Sequence, residues 1–153
     1  MVAWKKKTLI LTGASLGIGR ALSFELAALG CNLVLNARHD FPLSEVAGQC
    51  QKLGVAVEPV AGDAAEPANA SRMVEAAIRL GDFYGFIHAA GVLHPGPLLV
   101  ELPEQHFREV MDASVKAGYE LVRAAVGHLQ QRGEGLAVFF GSGAAEVNTP
   151  GIG

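Results

Sequence analysis

An α/β fold with one doubly wound, all-parallel sheet is what this sequence predicts, and three observations carry the prediction. Short continuous apolar runs alternate with segments whose apolar residues recur at helical spacing, as expected of strands buried between covering helices. A glycine-rich turn, Gly13 to Gly19, lies between the first such run and the first helix. Pro59 falls inside the third run, and because proline removes a ladder donor that strand belongs at a sheet edge. Right-handed crossovers then give the strand order 3-2-1-4-5. A ligand is expected at the carboxyl ends of strands one and four, where the order reverses.

Each element follows from the local pattern. Thr8-Leu9-Ile10-Leu11 is the first strand, and the helix after the glycine turn carries Ile18, Leu22, Leu26 and Leu29. Asn32-Leu33-Val34-Leu35 is the second strand. Its helix places Leu43, Val46, Cys50 and Leu53 on one face and is stopped by Gly54. Val55 to Val60 is the third strand, followed by a stripe of Met73, Ala76, Ala77 and Leu80 capped by Gly81. Phe83 to His88 is the fourth strand. A long helix then turns Phe107, Met111, Ser114, Gly118, Leu121, Ala125 and Leu129 inward and ends near Gly133, and Leu136 to Phe140 is the fifth strand.

Bulk properties narrow the class. The 153 residues suit one domain, 1–153, large enough for a genuine core. Half the residues are hydrophobic and 18% are charged, which excludes disorder. No apolar run approaches a membrane span of roughly 20 residues. Lys5-Lys6-Lys7 reads as solvated lysines before a strand, since the following apolar stretch is too short for a signal peptide. A formal charge of −3 with scattered basic residues argues against a nucleic-acid surface. Cys31 and Cys50 fit neither a metal spacing nor a disulfide framework, so no metal is expected and the compartment is read as cytoplasmic.

The turn reads Thr12-Gly13-Ala14-Ser15-Leu16-Gly17-Ile18-Gly19-Arg20. Backbone N–H groups at a helix N-terminus lack intrahelical partners and carry the positive end of the helix dipole, so a pyrophosphate is favoured there. Glycines admit the dihedrals of such a turn and let a ligand approach with no Cβ between. By itself this is also what an ordinary glycine turn after a strand looks like. The spacing differs from the common dinucleotide fingerprint and resembles the TGxxxGxG motif of the short-chain dehydrogenase/reductase family, in its shorter, non-epimerase form. The resemblance implies a Rossmann fold with a nicotinamide dinucleotide at Gly13, Ser15, Leu16, Gly17, Ile18 and Gly19. It covers the whole sequence but only the cofactor-binding part of the family's fold, so the sheet is expected to be incomplete at the C-terminal end.

Further residues fall in register with that resemblance. Asn36-Ala37-Arg38 ends the second strand at the cofactor. An NAD site places an acidic residue about 20 residues past the turn, whereas here Arg38 suits a 2′-phosphate and Ser15 can add a hydroxyl. NADP is therefore expected, the alternative being a solvated Arg38 neutralised by Asp40. Gly62-Asp63-Ala64 ends the third strand. The resemblance implies that Asp63 bonds the adenine edge, and the residue by itself equally suits a cap on the next helix. His88-Ala89-Ala90-Gly91-Val92 stands where the family shows Asn-Asn-Ala-Gly. Ala89, Ala90 and Gly91 are placed at the cofactor, and His88 is read as a buried, hydrogen-bonded histidine.

Two serines are the candidate catalytic residues. Met111-Asp112-Ala113-Ser114-Val115-Lys116-Ala117 resembles the segment holding the family's catalytic asparagine, with Ser114 in its place. In the family a local kink frees that residue's carbonyl to hold a water of the proton relay. A serine on a buried helix face can bond to the preceding turn and bend the helix, so Ser114 either keeps this role or simply packs against the sheet. Gly141-Ser142-Gly143-Ala144-Ala145 leaves the fifth strand where the family's catalytic serine sits, and a hydroxyl there can stabilise charge developing on a substrate oxygen.

The family's Tyr-x-x-x-Lys is expected beyond Pro150-Gly151-Ile152-Gly153, which resembles the approach to it, and Tyr84 and Tyr119 are read as packing or surface residues. The sequence is accordingly read as part of a longer polypeptide, and the 153 residues alone are expected to be inactive. The resemblance implies NADP-dependent hydride transfer to a ketone or aldehyde, or from a secondary alcohol, by a homo-oligomer (dimer or tetramer) paired through the long helix Phe107 to Leu129. The competing function is a non-catalytic, nucleotide-binding relative acting as a sensor or interaction module. Segments around Leu93-His94-Pro95 and Ala144 to Asn148 are expected to line the substrate pocket, whose ligand the residues do not specify.

Overall fold

The computed structural model describes residues 4–143, 146, 147 and 151. Ala144, Ala145, Asn148, Pro150, Ile152 and Gly153, named in the sequence reading, lie outside the described residues. Five parallel strands form one sheet in the order β3-β2-β1-β4-β5: β1 Thr8–Thr12, β2 Asn32–Ala37, β3 Val57–Ala61, β4 Phe83–His88 and β5 Leu136–Phe139. The helices are α1 Gly17–Ala28, α2 Asp40–Gln51, α3 Pro67–Leu80, α4 Glu104–Met111 and α5 Ala117–Arg132, with a π turn over Asp112–Lys116 between the last two. The fold class and strand order are those expected. Pro59 is exposed on the edge strand β3, where its missing N–H costs no ladder bond.

Strand alternation sends side chains to both faces, and helices cover each. Leu9, Leu11, Leu33 and Leu35 pack with Leu26 and Ala27 of α1 and with Leu43, Val46, Ala47 and Cys50 of α2. Ile10, Val34, Phe83 and Phe86 pack on the other face with Met73, Ala76 and Ala77 of α3 and with Leu121 and Ala125 of α5. Full burial of each large aliphatic side chain stabilises by about 1.5–3 kcal/mol, so the two layers hold the sheet rigid beneath the loops at its carboxyl edge. Cys31 and Cys50 are buried and unpaired, and burial pushes both thiols up from their ordinary range.

Three helix faces differ from the periodic reading. Ile18 and Leu29 are 60% and 54% exposed, and α1 instead buries Gly19, Ser23, Leu26 and Ala27, because small residues let it approach the sheet closely. Leu53 lies past the end of α2 and is exposed. The long helix is broken by the π turn, whose extra residue rotates the remainder of the helix by roughly 100° relative to an uninterrupted α-helix. Hence Phe107, Met111 and Ser114 are exposed, and the buried face resumes at Ala117, Gly118, Leu121 and Ala125.

Between β4 and β5 the backbones approach too closely for a side chain at Gly85. The β1–β4 register shifts between Thr8 and Leu9, which brings Gly85 opposite both Leu9 and Leu136. A Cβ at Gly85 would lie 2.7 Å from the Leu136 nitrogen and closer still to its carbonyl oxygen. Gly85→Ala should therefore lower the unfolding free energy by about 3 kcal/mol, read as a drop in the urea midpoint. An unchanged midpoint would refute this close approach.

Candidate functional site

At the carboxyl edge of the sheet, where the strand order reverses between β1 and β4, lies a cleft of about 340 Å³. The turn after β1 makes one wall. Gly13 takes φ +67°, and a Cβ there would stand 2.8 Å from the Ala89 carbonyl group, so only glycine allows the β1 turn to lie against the end of β4. Gly19 is buried one turn into α1, and a Cβ there would stand 2.7 Å from the Gly13 carbonyl carbon. Leu16 is the N-cap and makes no side-chain cap bond, so the first N–H groups of α1 open onto the cleft between Gly13, Ser15, Gly17 and Ile18. Exposed Ile18 belongs to this rim rather than to the core.

The ends of β2 and β3 make the next wall. Ala37 and Arg38 line the cleft, and Arg38 is exposed with no ion-pair partner among the described residues. Asp40, the candidate neutraliser, instead accepts a hydrogen bond from Ser44 at 3.2 Å. Asn36 lines the cleft too, but its buried amide donates to the Val60 carbonyl at 2.8 Å and the Gly62 carbonyl at 3.0 Å, tying β2 to β3. Gly62 stands behind this wall rather than in it. Asp63 and Ala64 reach the cleft, and Asp63 Oδ1 accepts from the Ala65 N–H at 2.8 Å. This is a local turn and not the helix cap that is the alternative role for Asp63, since the N-cap of α3 is Glu66.

Ala89, Ala90 and Gly91 after β4 complete the enclosure with side chains too small to fill it. Beneath them, His88 is 4% exposed, and its Nδ1 lies 2.9 Å from Thr12 Oγ1, which also accepts the Ala90 N–H at 3.2 Å. Burial lowers the His88 pKa from its ordinary value, against a smaller opposing pull from the Ser114 and Ala113 backbone. The ring is neutral and is the buried, bonded histidine expected. The kink implied for the long helix is present as the π turn, yet Ser114 is exposed rather than buried, its Oγ near Gly91. Neither Ser114 nor Ser142 lines the cleft. Ser142 is exposed just past the carboxyl end of β5.

Four lining residues escaped the sequence reading: His39, Val92, Ala113 and Ala117. His39 could have been found as the neighbour of Arg38. Ala113 and Ala117 could not, because the π turn that swings them to the cleft leaves no periodic signal. Tyr84 is buried edge-on against Trp4, with the Lys7 ammonium 4.0 Å from its ring centre, and Tyr119 is exposed on α5, so both are the packing or surface residues expected.

The cleft thus has an uncapped helix N-terminus, a glycine floor and a guanidinium unpaired among the described residues. These features suit a ligand carrying phosphate groups at two points. Because Gly19 packs on the Gly13 backbone, Gly19→Val must displace the turn, so it should lower stability and, in the fraction that folds, abolish binding of nicotinamide dinucleotides with or without a 2′-phosphate. Calorimetric titration of the folded variant, read beside its circular dichroism, checks this. Retained affinity would refute the turn's role.

The family model for short chain dehydrogenases matches residues 7–153. The chain is 32% identical over 136 residues to an uncharacterized oxidoreductase of Mycobacterium tuberculosis, covering 86% of this chain and 48% of that protein. It is 29% identical over 150 residues to an L-rhamnose 1-dehydrogenase (NADP(+)) of Thermoplasma acidophilum, covering 96% of this chain and 59% of that one. A Sphingomonas L-rhamnose 1-dehydrogenase (NAD(P)(+)) is 29% identical, with 86% of this chain and 52% of that protein covered. The chain therefore spans about half the length of these relatives. A solved short-chain type dehydrogenase/reductase from Mycobacterium ulcerans superposes with a TM-score of 0.92 at 22% identity, over 99% of this chain and 57% of that one. With the family model matching nearly every residue from the first strand onward, the chain belongs to the short-chain dehydrogenase family.

Proposed function

We propose that this protein binds NADP(H) in the cleft and acts in the reduction of a ketone or aldehyde, or the reverse oxidation of a secondary alcohol. The observation that carries the proposal is the open N-terminus of α1 facing a cleft whose rim holds Arg38, unpaired among the described residues. The first-turn N–H groups would hold the pyrophosphate, and the Arg38 fork would hold a 2′-phosphate. Asp63 keeps Oδ1 on the Ala65 N–H, which leaves Oδ2 for the adenine amino group. Ala89, Ala90 and Gly91 leave room for ribose against the backbone. The name of the Thermoplasma relative supports NADP, and that of the Sphingomonas relative allows either cofactor.

When bound, NADP(H) donates or accepts the hydride. Ser142 would hydrogen-bond the substrate oxygen as charge develops on it. A carbonyl of the π turn around Ser114 would hold a water for proton movement, a role the backbone can fill with serine in place of asparagine. An exposed apolar series along α4 and α5, including Phe107, Met111, Tyr119, Val122 and Val126, supports pairing of two copies through this helix. Among the described residues no helix is long and apolar enough to cross a membrane. The two unpaired, buried cysteines suit a reducing, cytoplasmic compartment.

Two outcomes test the proposal. Arg38→Ala should weaken NADP(H) binding by about 2 kcal/mol, the worth of a charge-assisted hydrogen bond, and leave NAD(H) nearly unchanged; equal losses in a fluorescence titration would sink the NADP assignment. Oxidation of NADPH against a panel of ketones, aldehydes and diketones should show turnover by the longer polypeptide that carries the family's Tyr-x-x-x-Lys and none by the 153 residues alone. Ser142→Ala in the longer polypeptide should reduce it about 100-fold at unchanged cofactor affinity. Tight NADPH binding by the longer polypeptide with no turnover on any carbonyl would instead favour a non-catalytic nucleotide-binding relative.

A further inference from the structure

His88 carries a polar atom that cofactor binding leaves unexplained. The residue is 4% exposed, and its Nε2 is buried with no hydrogen-bond partner of normal geometry among the described residues, although the Ser114 and Ala113 backbone lies close enough to act on the ring. A buried ring nitrogen without a partner costs on the order of 1–3 kcal/mol, so its surroundings decide what it does. One side of the ring is settled by Thr12, which is fully buried. Thr12 Oγ1 accepts the Ala90 N–H and lies 2.9 Å from His88 Nδ1. A hydroxyl has a single proton, and no other acceptor among the described residues engages this one. If Nδ1 carried the imidazole proton, the buried Thr12 proton would be left without an acceptor. Thr12 therefore donates to Nδ1, and the proton of the neutral ring resides on Nε2.

The other side of the ring faces the start of α5. A Cβ on Gly118 would stand 3.4 Å from His88 Cδ2, the carbon bonded to Nε2, while Phe139 packs edge-on 6.0 Å away. Just before Gly118, the backbone departs from α geometry. The Ala117 N–H bonds the Asp112 carbonyl, five residues back, where an α-helix would use Ala113. Returning to the four-residue register leaves one carbonyl of the Ala113–Ser114 stretch without an intrahelical donor. An unsatisfied donor and a released acceptor thus occupy neighbouring places under the cleft.

We infer that His88 is a positioning residue whose ring accepts from Thr12 at Nδ1 and directs Nε2–H to the released carbonyl of Ala113–Ser114, tying the glycine-rich turn to the π turn. One neutral imidazole then spans the two walls that come from different parts of the chain. Thr12 leads directly into Gly13, and Ala113 and Ala117 line the opposite wall. A ligand that stiffens the first wall also stiffens the second. That consequence rests on NADP(H) binding in the cleft, whereas the tie itself does not.

The test uses the protein labelled with ¹⁵N-histidine. At neutral pH, the His88 resonances should show an unprotonated Nδ1 and a protonated Nε2, and in Thr12→Val this preference should relax to a mixture. A protonated Nδ1, or a tautomer unchanged in Thr12→Val, would overturn the inference. Saturating NADPH should also slow hydrogen exchange of the Ala117 amide about fivefold in the unmodified protein and less than about twofold in His88→Phe. Equal slowing in both would show that the ring transmits nothing and overturn the inference. If NADPH binds neither protein, the cofactor reading fails and the tautomer alone decides the tie.

Discussion

Everything at the carboxyl edge of this sheet depends on one backbone-to-backbone approach. Gly19, in the first turn of α1, rests on the carbonyl of Gly13, while Gly13 itself rests on the peptide between Ala89 and Ala90. No side chain larger than hydrogen fits at either place. This contact sets the angle at which α1 leaves the sheet, aims its unpaired N–H groups and brings the ends of β1 and β4 together. The cleft is the space left by that arrangement. Its small lining residues have the same cause, since anything larger at Ala90 or Gly91 would fill it.

A second layer of order lies just below. Three buried polar side chains, Thr12, Asn36 and His88, sit at the ends of β1, β2 and β4. In a low-dielectric interior such groups destabilise unless bonded. Asn36 bonds two carbonyls at the end of β3, and Thr12 links the Ala90 amide to the His88 ring. Each therefore fastens a neighbouring strand end in register. The apolar layers make the sheet rigid, and these polar contacts carry that rigidity to the loops where a ligand is held.

The opposite side of the molecule has different chemistry. A mostly apolar cavity of about 410 Å³ runs between α5 and the β4–β5 edge, bordered by Val122, Val126, Leu129 and Leu136. With the exposed apolar face of α4 and α5, it forms a surface unlike the phosphate-suited cleft. A helix interrupted by a π turn serves both sides. Its Ala113 and Ala117 border the cleft, and its outer residues stay exposed.

The sequence by itself determined the fold class, the strand order and most of the cleft. Continuous apolar strands require helices on both faces, Pro59 requires an edge, and the glycine spacing requires a close turn between strand and helix. These are local constraints, written in consecutive residues; Arg38 follows from its place at the end of the second strand, and the resemblance to the family placed Asp63, Ala90 and Gly91 beside a turn distant in the chain. Only the tertiary structure decided the rest. The π turn shifted the stripe containing Ser114 from buried to exposed, because one added residue rotates a helix without altering its composition. The exposure of Ile18 and Leu29 was decided by how closely glycine let α1 approach the sheet. Asp63 forms a local turn rather than capping α3. The two bonding sides of His88 depend on Thr12 and on the Ala113–Ser114 backbone, partners that only the folded sheet and the interrupted helix bring to one ring.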